Sequence, residues 1–417
     1  MTRPRVFRDP VHGLISFAGE DAALGGVLDT RAVQRLRRIR QDGFAALVYP
    51  GAEHSRFGHA LGAFHVACRV TARLGCNPRV ARDVKVAALL HDLGHGPFSH
   101  AWETALGGPS HESWGRRILA EDEELGVALA AVAPDLGESV HRLLGGGYRP
   151  SWARKLISSQ LDVDRMDYLL RDAHYTGVGY SAYDLEWIIF AMGVARVRDG
   201  EDPDDLVFDY GRGLNAVAQF LVGRFNMYAQ VYYHKTVRAA EWMFTRVMQR
   251  FAALAVAGDA PAGLATAARL ARGETVEVGA YLGLDDVRVW CALEDWADGA
   301  ADPVLRDLAG RLTRRRLFKA IEVGDDAARG EALRPRLEAA AERVLGARAP
   351  SYWALDVAVR EVVSGPGEEL HVVGHPRRGT LDLAALVDEL PLGKAVATVR
   401  VLCAPELEPA FKEIVHS

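Results

Sequence analysis

The sequence predicts a mainly α-helical protein: a helical core with a short N-terminal hairpin and a small C-terminal α+β subdomain. Three observations lead there. Apolar residues recur at spacings of three and four from about residue 29 to 192 and again from 214 to about 345, the period of an amphipathic helix. Residues 5–16 alternate around Asp9-Pro10 and His12-Gly13, the pattern of a short hairpin. Late runs over 355–363, 370–373 and 397–403 read as strands. The changes of pattern set the boundaries: a hairpin segment over 1–27, a helical core over 28–350 and the mixed tail over 351–417.

Taken in order, Asp29-Thr30 reads as a helix cap ahead of Val33, Leu36 and Ile39. Gly107 to Pro109 and Gly145 to Pro150 punctuate the helical stretch that follows. Val194–Val197 and Leu206–Asp209 suggest a second hairpin. A long helix, broken at most once, is expected from Leu214 to Ala255. On it Arg224, Tyr228 and Tyr232, spaced by four, share a face. After a loop at 257–263 helices resume to about residue 345, so Arg315–Lys319 falls on a helix with a basic face. In the tail, Leu381–Leu390 and Pro405–Val415 read as helices between the strands.

Composition bounds the class. The chain of 417 residues is 49% hydrophobic and 25% charged, as expected of a globular protein with a large core. A net charge of -5 excludes a globally basic nucleic-acid binder but leaves room for a local basic cleft. Six lysines leave 44 arginines among the 50 basic residues, and arginine suits bidentate phosphate contacts. Cys68, Cys76, Cys291 and Cys403 lack metal-site spacing and read as buried thiols of a reducing compartment, a Cys68–Cys76 bridge being the less favoured alternative. Met1 to Arg5 shows no apolar leader, and no apolar run reaches the ~18 residues of a membrane span. A cytoplasmic protein without membrane contact is expected.

The chemistry is concentrated in His91-Asp92-Leu-Gly-His95-Gly-Pro-Phe-Ser-His100, which follows the apolar run Val84–Leu90. An adjacent His-Asp pair at the end of a buried helix offers an imidazole nitrogen and a carboxylate to one point. A buried carboxylate is costly unless it is paired or metal-bound. By itself the dipeptide fits equally well a histidine cap salt-bridged to an aspartate. His59 upstream and Asp164 downstream complete a set of four, His59, His91, Asp92 and Asp164, able to close around one metal and leave positions for water and substrate. The donors suit iron, manganese, zinc and nickel alike. The bland alternative is an ion-pair network without metal. His95, His100 and His111 are candidates for acid–base work near neutrality. His111 also stands at a helix start, after Ser110.

Further segments stand in order around that run: Asp9–Gly13, Asp29–Arg37, Arg56–His59, Asp162–Tyr168, Arg224–Lys235 and Arg315–Lys319. With them the chain resembles the HD-domain phosphohydrolase superfamily. Within it the chain is most similar to the deoxynucleoside triphosphate triphosphohydrolase branch, which includes the vertebrate SAM-and-HD-domain enzyme and bacterial relatives. The resemblance implies a helical HD core and metal-dependent hydrolysis of dNTPs to deoxynucleoside and inorganic triphosphate, with magnesium possible on the nucleotide. It places Arg56, Arg165 and Arg224 around the triphosphate, and Gln41, Tyr168 and Asp172 at the sugar and its 3′-hydroxyl. Tyr228 and Tyr232 line the base pocket or merely pack the helix. His100 and His111 fall beside the leaving oxygen, His100 as the general acid, with Glu103 placed to orient it.

The resemblance also implies an effector site of Asp29, Gln34 and Arg37 with Arg315 and Lys319, joined between subunits in relatives, and hence a homo-dimer or homo-tetramer. Asp29 is equally a helix cap. His12 and His54 read as hairpin and loop residues. The chain departs from the family twice. Glu103 stands where Asp is usual. Asp42 stands where a leucine usually lies beneath the sugar, so a ribose 2′-hydroxyl gains an acceptor and the preference for dNTPs over NTPs is expected to narrow. Two other functions compete. One is an HD phosphomonoesterase or phosphodiesterase acting on nucleoside monophosphates or guanosine tetraphosphate-type signalling nucleotides, against which the triphosphate arginines argue. The other is a catalytically silent nucleotide sensor, against which the intact ligand set argues. Nucleic acid is an unlikely partner for so acidic a chain.

Overall fold

The computed structural model of the chain describes residues 4–197, 204–360, 370–376, 378–383, 385 and 396–417. The N-terminal hairpin forms as expected, β1 (Arg5–Asp9) antiparallel to β2 (Gly13–Phe17). Its buried residues Ile15 and Phe17 face the core, with Phe17 stacked on Phe64 at 4.2 Å. Thr30, not Asp29, takes the cap position of the short helix Arg31–Arg35, and its hydroxyl donates to the Val27 carbonyl. Asp29 instead binds Arg5.

Five helices build the candidate site: α1 (Arg56–Arg73), α2 (Pro78–Leu90), α3 (His100–Leu106), α4 (His111–Glu121) and α5 (Val163–Thr176). α1 packs against both α2 and α5. α2 begins where the Asn77 side chain accepts from the Val80 amide at 3.0 Å, with Pro78 in its first turn, and it ends at His91. α5 begins where Asp162 accepts from the Arg165 amide at 2.7 Å, and Gly177 stops it in the left-handed region at φ 76°. The long helix predicted after residue 214 is broken once. α6 (Tyr210–Met227) runs into a wide π turn over Tyr228–Tyr232 before α7 (Lys235–Ala257) starts. The wider turn shifts the residues after it around the axis, so Arg224 and Tyr232 no longer share one face.

The second predicted hairpin forms, β3 (Met192–Arg196) antiparallel to β4 (Asp204–Asp209). It is followed by β5 (Lys319–Gly324), β6 (Trp353–Arg360), β7 (His371–His375), β8 (Gly379–Asp382) and β9 (Val396–Cys403). Two sheets result, with orders β3-β4-β7-β8 and β5-β9-β6. Sheet pairing therefore crosses residue 351, because β3, β4 and β5 join strands of the tail. β5 corrects the helix expected at Arg315–Lys319. The helix Pro303–Thr313 ends there, Arg315 turns to φ 53°, and Ile321 and Val323 alternate into the sheet. Most of the helix expected over Leu381–Leu390 lies outside the described residues. The one expected at the end forms over Glu408–His416. The cysteines are free, and only Cys403 is fully buried. Cys291 is exposed, which corrects the expectation of four buried thiols. Among the described residues no helix is long and apolar enough to cross a membrane.

Candidate active site

α1, the end of α2 and the start of α5 bring His59, His91 and Asp164 to one point. The Nε2 atoms of His59 and His91 stand 3.2 Å apart, and Asp164 Oδ1 lies 3.0 Å from the first and 3.5 Å from the second. Asp92 is adjacent, its Oδ1 at 3.3 Å from His91 Nε2 and its Oδ2 at 3.9 Å from His59 Nε2, with Arg56 hydrogen-bonded to the carboxylate. The other nitrogen of each imidazole is engaged. His91 Nδ1 donates to the Ala88 carbonyl at 2.9 Å, and His59 Nδ1 meets Asp167 Oδ2 at 2.8 Å. Each ring thus turns its Nε2 towards the same point, and in the neutral form the two lone pairs there would repel unless a cation stood between them. Ligands about 2.1 Å from one ion and at right angles lie about 3 Å apart. The donor set fits a divalent metal. Burial opposes charge on His59, yet the hydrogen bonds to Asp164 and Asp167 raise it to about 10. The same carboxylates favour any cation at this point.

The backing of this corner reaches the hairpin. Buried Asp167 receives Arg171 Nε and Nη2 at 2.8 and 2.9 Å and His12 Nε2 at 2.6 Å. Arg171 in turn donates to Asp9 at 2.8 Å, and Asp9 accepts from the amides of Val11 and His12. Burial works against the Asp167 charge, but Arg171 holds its carboxyl well below the usual range. Gly62 is required here, since a Cβ would fall 1.8 Å from Asp167 Oδ1. His12 is therefore no mere turn residue. Sequence reasoning also passed over Asp167. Its only signal was the i,i+4 spacing to Arg171.

A cavity of about 900 Å³ opens at the corner, lined by His91, Asp92 and Asp164 and by His95, His100 and His111. The rings of His95 and His111 stack at 4.0 Å, and His100 stands edge-on to both at 5.3 Å. Glu103 Oε1 lies 2.8 Å from His111 Nδ1 and 3.9 Å from His100 Nδ1, so it holds His111 rather than His100 as expected. The reason is the approach of α4, capped by Ser110, onto the His91–His95 loop. A Cβ on Gly94 would fall 1.9 Å from the His111 carbonyl oxygen. The environments drive these histidines apart. Burial opposes charge on His111, but Glu103 raises it. The His100 side chain is 73% accessible through the cavity, yet surrounding protein, Arg56 and His111 lower its pKa. Burial and then Arg56 push His95 well below its usual value. Phe98 and Ser99 sit at φ 54° and 56°, a strained turn for residues with side chains. It is held by Asp286 on the Phe98 amide at 2.8 Å and by Arg56 on the Ser99 hydroxyl at 2.7 Å.

Part of the cavity floor is acidic. Asp172 Oδ1 lies 2.8 Å from His54 Nε2, and its Oδ2 accepts from Tyr232 at 2.7 Å. Asp42 hydrogen-bonds Asp172 and lies 3.8 Å from His54. Burial and the neighbouring charge push Asp42 well up, and burial pushes Asp172 up to about 7. Gln41 Oε1, Asp42 Oδ2 and His54 Nδ1 are buried here without a hydrogen-bond partner. His54 is thus part of the floor, which corrects its reading as a loop residue. Tyr168, Tyr228 and Tyr232 line the same cavity.

The other expected residues divide. Arg56 and Arg165 line the cavity, whereas Arg224 donates to Gln160 at 3.0 Å and lies outside the lining. Asp29, Gln34 and Arg37 lie close in the chain. Gln34 accepts from Arg37 at 2.8 Å, and Arg37 covers the Phe57 ring. Arg315 donates to the Leu47 carbonyl at 2.9 Å, and Lys319 opens β5. Among the described residues no hydrogen bond or ion pair joins the two groups within the chain.

Two histidines and two aspartates that could hold a metal thus stand beside a histidine-lined cavity. The chain belongs to the HD-domain phosphohydrolase superfamily: residues 56–172 match the HD domain and residues 200–344 the HD associated region. It is 36% identical to the uncharacterized protein YwfO of Bacillus subtilis over 77% of this chain and 73% of that protein. A crystal structure of a phosphohydrolase from Bacteroides thetaiotaomicron superposes with a TM-score of 0.79 at 28% identity, covering 96% of this chain and all of that one. The mouse deoxynucleoside triphosphate triphosphohydrolase SAMHD1 is 32% identical over 42% of this chain, which spans about a third of that protein.

Proposed function

We propose that the protein hydrolyses deoxynucleoside triphosphates to deoxynucleoside and inorganic triphosphate, with one divalent transition metal held by His59, His91, Asp92 and Asp164. The observation that carries this reading is the pair of Nε2 atoms 3.2 Å apart, opening with Asp164 into the histidine-lined cavity. The name of the mouse relative supports the substrate. A metal bound there supplies Lewis acidity to a phosphoryl oxygen and acidifies a water. The chain's own residues do the rest. Arg56 and Arg165 neutralise phosphate charge, with Arg224 behind them. Gln41, Tyr168, Asp172 and Tyr232 hold the sugar.

A water oxygen bonds to the α-phosphorus as the bond from phosphorus to the 5′-oxygen breaks. The leaving oxygen keeps that electron pair and takes a proton from His100. His111, kept protonated by Glu103, restores the proton to His100, and the proton shed by the attacking water passes to solvent. His95 braces Asp92 at 3.3 Å and stacks on His111. Product analysis on the metal-loaded protein tests the reading. Tripolyphosphate and deoxynucleoside are expected. Orthophosphate or pyrophosphate would indicate a phosphomonoesterase or phosphodiesterase instead. The proposal extends to a homo-dimer or homo-tetramer in which Asp29, Gln34 and Arg37 of one chain meet Arg315 and Lys319 of another around a nucleotide effector. A concentration-independent monomer in sedimentation, with and without nucleotide, would remove that extension.

A further inference from the structure

The arginines that face the phosphates by resemblance are already engaged inside the protein. Arg56 is held by Asp92 and Ser99, and Arg165 by Asp162 and the Ser159 carbonyl. Arg238, another lining residue, is paired with Asp356 and Glu241. Two further arginines line the cavity, Arg116 and Arg154. Arg116 donates to the neutral Ser113 hydroxyl at 3.3 Å, and neither guanidinium has a carboxylate partner among the described residues. Both stand at the cavity wall with no carboxylate counter-charge among the described residues.

Their placement suits an extended anion. Arg116 lies on α4, where His111, Glu112, Gly115 and Arg116 line one wall. At a rise of about 1.5 Å per residue its Cα stands about 7.5 Å along the axis from that of His111. That separation is too large for one phosphoryl group at the metal corner to serve both. Glu112, the acid beside it, lies 3.4 Å from His111 Nε2 and is answered there. Gly145 leaves room for the Arg116 stem, since a Cβ would come 3.4 Å from its Cδ. Arg154 enters the cavity with Ile157 and Ser158, from the short helix Trp152–Lys155. Guanidinium groups hold phosphate oxygens in pairs, and two of them bracket a chain of phosphates better than a single one.

We infer that Arg116 and Arg154 form a clamp for the far end of a polyphosphate chain whose reacting phosphorus lies at the metal corner. This rests on the nucleotide reading above and deepens it, because it makes the length of the phosphate chain a feature the site selects. The test is binding of inorganic tripolyphosphate and of orthophosphate to the metal-loaded protein, with R116Q, R154E and R154K beside the wild type. The Kd for tripolyphosphate should rise about tenfold in R116Q and at least as much in R154E. R154K should recover part of the loss, and orthophosphate should change less than twofold throughout. Arg154 is exposed, so R154E reports even if R116Q folds poorly. Tripolyphosphate affinity within twofold of wild type in both R116Q and R154E would overturn the clamp. If the wild type cleaves dNTPs while the variants bind normally, the clamp alone falls. If the wild type leaves nucleotides intact while tripolyphosphate binding still depends on both arginines, the clamp stands and the nucleotide reading falls.

Discussion

The candidate metal corner and the pocket floor belong to one cavity, and they are finished to different degrees. At the corner both histidines are already held from behind, His59 by Asp167 and His91 by the Ala88 carbonyl, and Asp167 is held in turn by Arg171 and His12. On the floor Gln41 Oε1, Asp42 Oδ2 and His54 Nδ1 are buried without a hydrogen-bond partner among the described residues, beside two carboxyls whose charge burial opposes. A buried polar atom without a partner costs stability. The corner is thus preorganised by the chain itself, while the floor is completed only by a ligand that brings hydroxyl donors.

That contrast can be broken from the corner first. Asp92→Ala removes a ligand and the counter-charge of Arg56, and should abolish measurable turnover and lower metal content. Full metal loading in the purified variant would contradict the ligand assignment. His100→Ala should cost about 10²–10⁴-fold in turnover while leaving the metal in place, as loss of a general acid does. A loss of no more than twofold, with His111→Ala inactive, would exchange the two roles. Asp167→Asn leaves all four ligands but loosens the hold on His59, and should lower metal affinity by about 10–100-fold. Unchanged affinity, measured by competition with a chelator, would mean that the backing is decorative.

The floor gives smaller effects. Asp42→Leu removes the acceptor and should widen the dNTP/NTP ratio of kcat/KM by up to about tenfold, the upper end of what one hydrogen bond to a neutral group is worth. An unchanged ratio would mean that Asp42 does not meet the sugar. The smallest effect is a shift in pH dependence. Glu103 raises the pKa of His111, so the protonated form persists to higher pH and activity is lost as pH rises through that raised value. Glu103→Gln lowers the His111 pKa, so the basic limb of the kcat/KM profile should move to lower pH. A limb that stays in place would separate His111 from the proton supply.

How much of this was legible in the sequence follows the same divide. The cluster of His59, His91, Asp92 and Asp164 could be expected because metal chemistry restricts residue type, and the hairpin because its alternation differs from the helical period; a single break in the long helix was allowed for, but its place after Met227 was not. Asp167 escaped because its spacing looks like any ion pair along a helix, and His12 because its partner lies 155 residues away. β5 escaped because the pairing that makes Ile321 and Val323 a strand comes from β9, whose Val401 faces Ile321. Arg116 and Arg154 carried no motif. What marks them is the absence of a carboxylate partner inside a cavity, a property of three dimensions.

The central claim is that His59, His91 and Asp164, with Asp92, hold a single metal. Elemental analysis of the purified protein after dialysis against chelator-treated buffer tests it most directly, comparing the wild type with His59→Ala and Asp164→Ala. One equivalent of a transition metal per chain is expected in the wild type, with little in either variant at an unchanged far-ultraviolet spectrum. Equal metal content in all three proteins would contradict the account.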